Sequence, residues 1–146
     1  MNIIFSLLIN TANADFPINK AKYNQPESWE RSPIILLCTN QSIYNKQQVS
    51  HALSKWDKNY TIIERSSCNY NLEAGIIKIT DGKKINNDKL WALTDYKYSN
   101  SSIKSAIVQT DSKCKSIDVL IHELGHAIGY EHYDAKHDIM NTKLKC

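Results

Sequence analysis

The sequence has no run of basic residues, no Cys-x-x-Cys pair, no internal repeat and no low-complexity tract. Each absence removes a class of function. Its 18 Lys and Arg stand against 15 Asp and Glu, a formal charge of +3, and they are not clustered. That field is too weak to gather phosphates, so no nucleic-acid partner is expected. Without a Cys-x-x-Cys pair, a cysteine-ligated zinc module has no support. The apolar run from Ile3 to Ile9, broken by Ser6, is far too short to span a bilayer, so no stable membrane insertion is expected. A length of 146 residues suits one domain with one core.

The apolar run has a second reading. It is followed by Ala12-Asn13-Ala14, the small-x-small pattern of a signal-peptidase site. Residues 1–14 are therefore expected to be a signal peptide, although no Lys or Arg precedes the run. The protein would then be secreted or periplasmic. Cys38, Cys68, Cys114 and Cys146 form an even set that fits two disulfides in such a compartment. Three pairings are open. The preferred one, Cys38 with Cys68 and Cys114 with Cys146, closes two loops of about 30 residues, each worth roughly 3 to 4 kcal/mol in the chain-entropy model.

Residues 15–32 are polar, contain Pro17 and Pro26, and read as an extended leader or surface strap that Trp29 can anchor. Residues 33–146 form the domain proper. Ile34 to Cys38 is a continuous apolar run, the mark of a strand buried on both faces. Asn45 to Tyr60 reads as a helix, with Asn45 and Gln48 spaced as a cap and its partner and with Val49, Ala52, Leu53 and Trp56 on one face. Strands follow around Thr61–Ser66, Gly75–Thr80, Leu90–Leu93 and Ser105–Thr110, with a loop at Asn100–Lys104. A second helix is expected over Ile117–Ile128, capped by Ser116 and stopped by Gly129. The fold class is α+β: a twisted mixed sheet of four to five strands, mostly parallel with one edge strand reversed, and two main helices.

The second helix carries the chemistry. Its segment His122-Glu123-Leu124-Gly125-His126-Ala127-Ile128-Gly129-Tyr130-Glu131-His132 places His122 and His126 four apart, so both imidazoles leave the same face. Two nitrogens can then meet one zinc ion. Gly129 can take a positive φ, which lets the chain turn and bring His132 to a third corner. A fourth position stays open for water, as catalytic zinc requires. Glu123, beside the first ligand, suits the general base of a metal-assisted hydrolysis. Tyr130 and Tyr133 are candidate oxyanion or substrate donors, and Glu131 and Asp134 are candidates to orient an imidazole through its other nitrogen.

This run resembles the signature of the metzincin metallopeptidases, and the order of elements resembles their matrixin-like branch. The resemblance implies a zinc endopeptidase domain. Met140, eight residues after His132, would form the apolar floor under the metal without binding it. Trp91, Ala92 and Leu93 would belong to an edge strand that pairs with bound peptide. The likeness covers roughly Pro33 to Met140, and only its last 25 residues or so are specific. Tyr133, Asn141 and Thr142 depart from the usual Ser and Tyr-Pro. The family's final helix has no counterpart before Cys146, so the pocket is expected to be shallow, open or completed by another subunit. The loop Asp95–Lys104 lacks most ligands of the family's structural metal sites, so neither calcium nor a second zinc is assigned. A monomer acting on a peptide or protein substrate is expected. Two other readings stay open: a zinc-bearing binding or inhibitory module, and a hydrolase of non-protein amides such as cell-wall crosslinks.

Overall fold

Three apolar runs make the middle of the sheet. In this computed structural model, which describes residues 17–83, 85, 90–144 and 146, they are β2 (Ile34–Cys38), β4 (Ile76–Asp81) and β6 (Ser102–Thr110). The expected signal segment lies outside the described residues. Neighbouring β2, β4 and β6 are parallel, with Ile35 beside Ile77 and Ile79 beside Val108. β3 (Ile62–Arg65) adds to the far side of β2, also parallel. β5 (Ala92–Ser99) runs antiparallel to β6 and pairs with no other strand among the described residues.

The period of two divides each central strand between two faces. Ile35, Leu37, Ile77, Ile79, Ala106 and Val108 join one core cluster. Both helices, α1 (Lys46–Lys55) and α2 (Ile117–Ile128), contribute to that cluster, through Val49, Ala52 and Leu53 from the first and Leu120, Leu124, Ala127 and Ile128 from the second. On the opposite face, buried Lys78 donates to the Asn69 carbonyl, the Asn69 side-chain oxygen and the Asn71 carbonyl, at 3.1, 2.9 and 2.7 Å. That loop is tied to the sheet by a Cys38–Cys68 disulfide; a second disulfide joins Cys114 to Cys146. Two such bonds fit an oxidising environment.

Several boundaries differ from expectation. Ser28–Trp29 forms a short strand, β1, parallel to the start of β6, so the sheet has six strands. The expected loop at Asn100–Lys104 is a tight turn: Asn100 and Ser101 take positive φ, and β6 already begins at Ser102. Two successive left-handed residues match the twist of a hairpin, which is why β5 and β6 stay paired up to the turn. Helix α1 stops at Lys55 because Asp57 turns left-handed and Trp56 buries its ring. Its predicted capping box is present, Asn45 and Gln48 each accepting the other's backbone N–H. Ser116 stands at the start of α2, but its side chain makes no capping bond.

Residues 17–32 pack on the domain, and Trp29 is one of their anchors. They wrap the exit of α2. Trp29 donates its indole N–H to the Ala127 carbonyl at 2.7 Å, and Gln25 donates to the Ile128 carbonyl at 3.1 Å. These carbonyls end a helix and have no partner within it. The fit is close: a Cβ on Gly129, whose φ is +116°, would stand 1.9 Å from the Glu27 carbonyl oxygen.

Candidate metal centre

Helix α2 is buried on nearly all sides, and it packs against α1, β5 and β6. This burial fixes its rotation, and so fixes the direction in which His122 and His126 point. Gly129 then adopts the left-handed conformation expected of it. The chain turns and carries His132 back toward the helix. The ligating nitrogens of His122, His126 and His132 all lie within 4.8 Å of one another. His126 Nε2 stands 3.0 Å from the Nε2 of both His122 and His132.

The second nitrogen of two rings decides what this convergence means. His122 Nδ1 lies 2.7 Å from the Ile139 carbonyl oxygen, and His126 Nδ1 lies 2.8 Å from that of Tyr130. A carbonyl only accepts, so each Nδ1 carries the proton and each Nε2 presents a lone pair. Two lone pairs at 3.0 Å, with no proton between them, repel unless a cation sits nearby. Donors arranged tetrahedrally at zinc–nitrogen distances of about 2.0 to 2.1 Å stand about 3.3 Å apart. The three imidazoles therefore fit a single zinc-sized ion. Burial, followed by the neighbouring His122, pulls the His126 pKa down to about 4, and burial also lowers that of His122. Neutral imidazole, the ligating form, is thus favoured.

The support beneath is built from the turn after His132. Met140 is fully buried under the helix, and a Cβ on Gly125 would meet its Sδ at 2.8 Å and the Trp56 ring at 2.5 Å. Gly125 therefore lets the thioether and the ring reach the helix backbone. Asp138 holds the turn. Its Oδ1 accepts from the Tyr23 hydroxyl and from the Met140 backbone N–H, both at 2.8 Å, and its Oδ2 pairs with Lys22 at 2.5 Å. The carbonyl between these points, that of Ile139, is the one that orients His122.

Glu123 is buried beside the histidines, at the edge of a cleft of about 380 Å³. Burial pushes its pKa up to about 7, while a hydrogen bond from Thr94 works the other way. Thr94 Oγ1 lies 2.5 Å from Glu123 Oε2 and 3.0 Å from the Glu123 carbonyl oxygen. One hydroxyl proton cannot serve both, and the shorter, charge-assisted contact takes it. Ala92, Thr94 and Tyr96 face inward from β5 while Leu93 and Asp95 face out. Leu90, Trp91, Ala92 and Leu93 line the cleft as well, and Val119 and Leu144 are the aliphatic groups lining its remainder.

The structure thus brings together the three histidines, Glu123, Met140 and the Trp91–Leu93 stretch. It does not bring Tyr130 or Tyr133 to the cleft. The Tyr130 ring stacks on Trp56 at 4.9 Å, inside the core, and the Tyr133 ring packs edge-on against Tyr23 at 5.7 Å. Their contribution is through the backbone, the Tyr130 carbonyl above all. Glu131 bonds Asn24, and Asp134 bonds Thr142, so neither orients an imidazole. Thr94 and Asp138 were missed. The alternation along Ala92–Tyr96 was the available signal for the first; nothing local marks the second, whose partners Lys22 and Tyr23 are more than a hundred residues away. None of residues 17–32 lines the cleft. Among the described residues no helix is long and apolar enough to cross a membrane. No protein-family model matches the chain, and no curated protein aligns with it significantly.

Proposed function

We propose that this chain is a zinc-dependent endopeptidase of metzincin type, matrixin-like, secreted or periplasmic, and acting as a monomer on peptide or protein substrates. One observation carries the reading. Three imidazoles converge, two of them locked by carbonyls, beside a buried carboxylate in a cleft bordered by β5, whose other edge pairs with no strand among the described residues. A purely structural zinc would be closed by four protein ligands and would have no use for that carboxylate.

His122, His126 and His132 would hold the ion, and Ile139 and Tyr130 would keep two of the rings in the ligating tautomer. When bound, zinc supplies a Lewis acid that brings the pKa of a water toward neutrality and polarises a substrate carbonyl. A peptide lies along the free edge of β5, where main-chain groups of the strand can pair with it and set the scissile carbonyl over the histidines. Glu123 takes the proton from the attacking water and then passes it to the departing amine nitrogen. Thr94 holds one carboxylate oxygen and leaves the other for this transfer. The buried Met140 floor keeps the helix and the turn from shifting.

The test is cleavage of a broad peptide library by zinc-loaded protein beginning at Asp15, with Glu123→Gln protein alongside. Wild-type cleavage with loss of at least about a thousandfold in the variant, at unchanged zinc content, is expected for a lost general base. Equal activity of the two proteins, or no cleavage by either, rules the reading out.

A further inference from the structure

We propose that Lys78 and Asn69 join in an intramolecular isopeptide bond, with Glu73 moving the proton, so that the loop beside the Cys38–Cys68 disulfide carries a second covalent tie to the sheet. The inference is independent of the peptidase reading.

Lysine is seldom buried, and least of all between isoleucines of a strand. Lys78 lies between Ile77 and Ile79 in β4 and is only 1% exposed. Its Nζ meets three kinds of group from one loop. The side-chain oxygen of Asn69 stands 2.9 Å away, and a carboxylate oxygen of Glu73 stands 3.4 Å away. The main-chain carbonyl oxygens of Asn69 and Asn71 lie at 3.1 and 2.7 Å. An amine, a carboxamide and a carboxylate thus share one point, which is the set a transamidation needs as nucleophile, electrophile and proton carrier. The carboxamide is also polarised. Asn69 Oδ1 accepts the backbone N–H of Asn71 at 3.1 Å as well as the Lys78 ammonium. Two donors identify that atom as the oxygen, and the N–H stands where negative charge develops when the carbonyl carbon is attacked.

The protons can be followed. An ammonium carries three. When one passes to Glu73, the other two serve the Asn69 and Asn71 carbonyls, and the lone pair is left on the side of the Asn69 carboxamide. Lys78 Nζ then bonds to Asn69 Cγ. Glu73 gives its proton to Nδ2, the Cγ–Nδ2 bond breaks, and ammonia leaves. The surplus proton of the new amide nitrogen returns to Glu73 and departs with the ammonia as ammonium. Nothing is oxidised or reduced, and no co-reactant is needed. The loop is held in place beforehand. Cys68, next to Asn69, is bonded to buried Cys38, donates its N–H to the Gln41 side chain at 2.7 Å and accepts from it at 3.2 Å. The Glu73 carbonyl accepts the Ile76 N–H at 3.2 Å. Groups held in contact react as if present at very high concentration. Asn69 is at the surface, so ammonia escapes to solvent and the reverse reaction loses its partner. The disulfide ties this loop to β2; the isopeptide bond ties it to neighbouring β4 and survives a reductant.

Mass spectrometry of the purified, reduced protein tests the bond. The intact mass should fall short of the sequence mass by one ammonia, about 17 Da, as displacement of the amide nitrogen requires. After digestion with trypsin and a glutamate-specific protease, residues 66–73 should remain joined to residues 74–83, because trypsin does not cut after an acylated Lys78. Glu73→Gln, at a partly exposed position, should slow the joining by at least about a hundredfold, as expected for loss of a proton carrier. Lys78→Met should keep the full mass; if it fails to fold, Asn69→Ala at the surface gives the same reading. Full mass in wild-type protein after prolonged incubation overturns the proposal. So does ammonia loss without joined peptides, which would mark an asparagine cyclised on its own backbone. Joining at an unchanged rate in Glu73→Gln overturns the part given to Glu73.

Discussion

Replacing Thr94 by valine removes a hydroxyl and keeps the shape of the side chain, so it isolates one contact. The Thr94 hydroxyl lies 2.5 Å from a carboxylate oxygen of buried Glu123. A hydrogen bond to a charged group contributes roughly 1.5 to 3 kcal/mol, equivalent to about 10- to 100-fold in rate if all of it served to hold the base. Part of it does not. The same bond stabilises the ionised carboxylate and weakens it as a base, so its loss returns some reactivity. The expected net effect is therefore at the lower end, a fall in kcat of about tenfold with KM changed less than twofold. Steady-state kinetics on one peptide substrate reads both. Thr94→Ser restores the hydroxyl and should recover most of kcat, which a packing defect would not permit. A valine variant within twofold of wild type, or a serine variant as slow as valine, refutes the argument that Thr94 orients Glu123.

Two predictions concern the floor of the site. Burial raises the pKa of Asp138, but Lys22, the Met140 N–H and the Tyr23 hydroxyl lower it by more, so the folded value lies below the ordinary carboxylate value. Its stabilisation is present above the unfolded pKa of about 4 and is lost as pH falls through the folded pKa. Melting temperature should accordingly drop more steeply below about pH 4 in wild type than in Asp138→Asn, whose curve lacks this component; parallel curves would contradict the assignment. Gly125→Ala forces a methyl against the Met140 sulfur and the Trp56 ring, and overpacking of this kind costs about 1 to 3 kcal/mol, or roughly 3 to 10 °C in Tm. A thermal melt unchanged within about 1 °C would mean that the floor is looser than described.

The convergence of the three histidines could be read in the sequence because it depends on local geometry. His122 and His126 are fixed by helical spacing, and Gly129 announces the turn that returns His132. Helix α2 and the central strands were equally plain, since their apolar runs have a single use. What could not be read depends on partners remote in the chain. Asp138 is one acid among 15 until Tyr23 and Lys22 are placed against it. Tyr130 and Tyr133 looked like site residues because they adjoin a ligand. Adjacency in sequence does not set where a ring points, and an aromatic cluster around Trp56 and Tyr23 drew both away. Ser28–Trp29 carries too short a pattern to declare a strand, and forms one only because the start of β6 is already in place beside it. Lys78 sits within an apolar strand and is buried all the same, because a loop supplies oxygens for its ammonium group.

The wrapping of α2 by residues 17–32 also bears on when the molecule becomes competent. The bond from Tyr23 to Asp138 spans 115 residues, and that from Asn24 to Glu131 spans 107. Contacts of such separation close late, because the entropy of the long loop is lost before the contact forms. The Ile139 carbonyl that aligns His122 belongs to the turn those contacts secure. A chain emerging from the ribosome can assemble the sheet and α1 early, yet its three imidazoles come into register only once residue 138 is free to meet residue 23. The three-histidine centre is thereby a late product of folding.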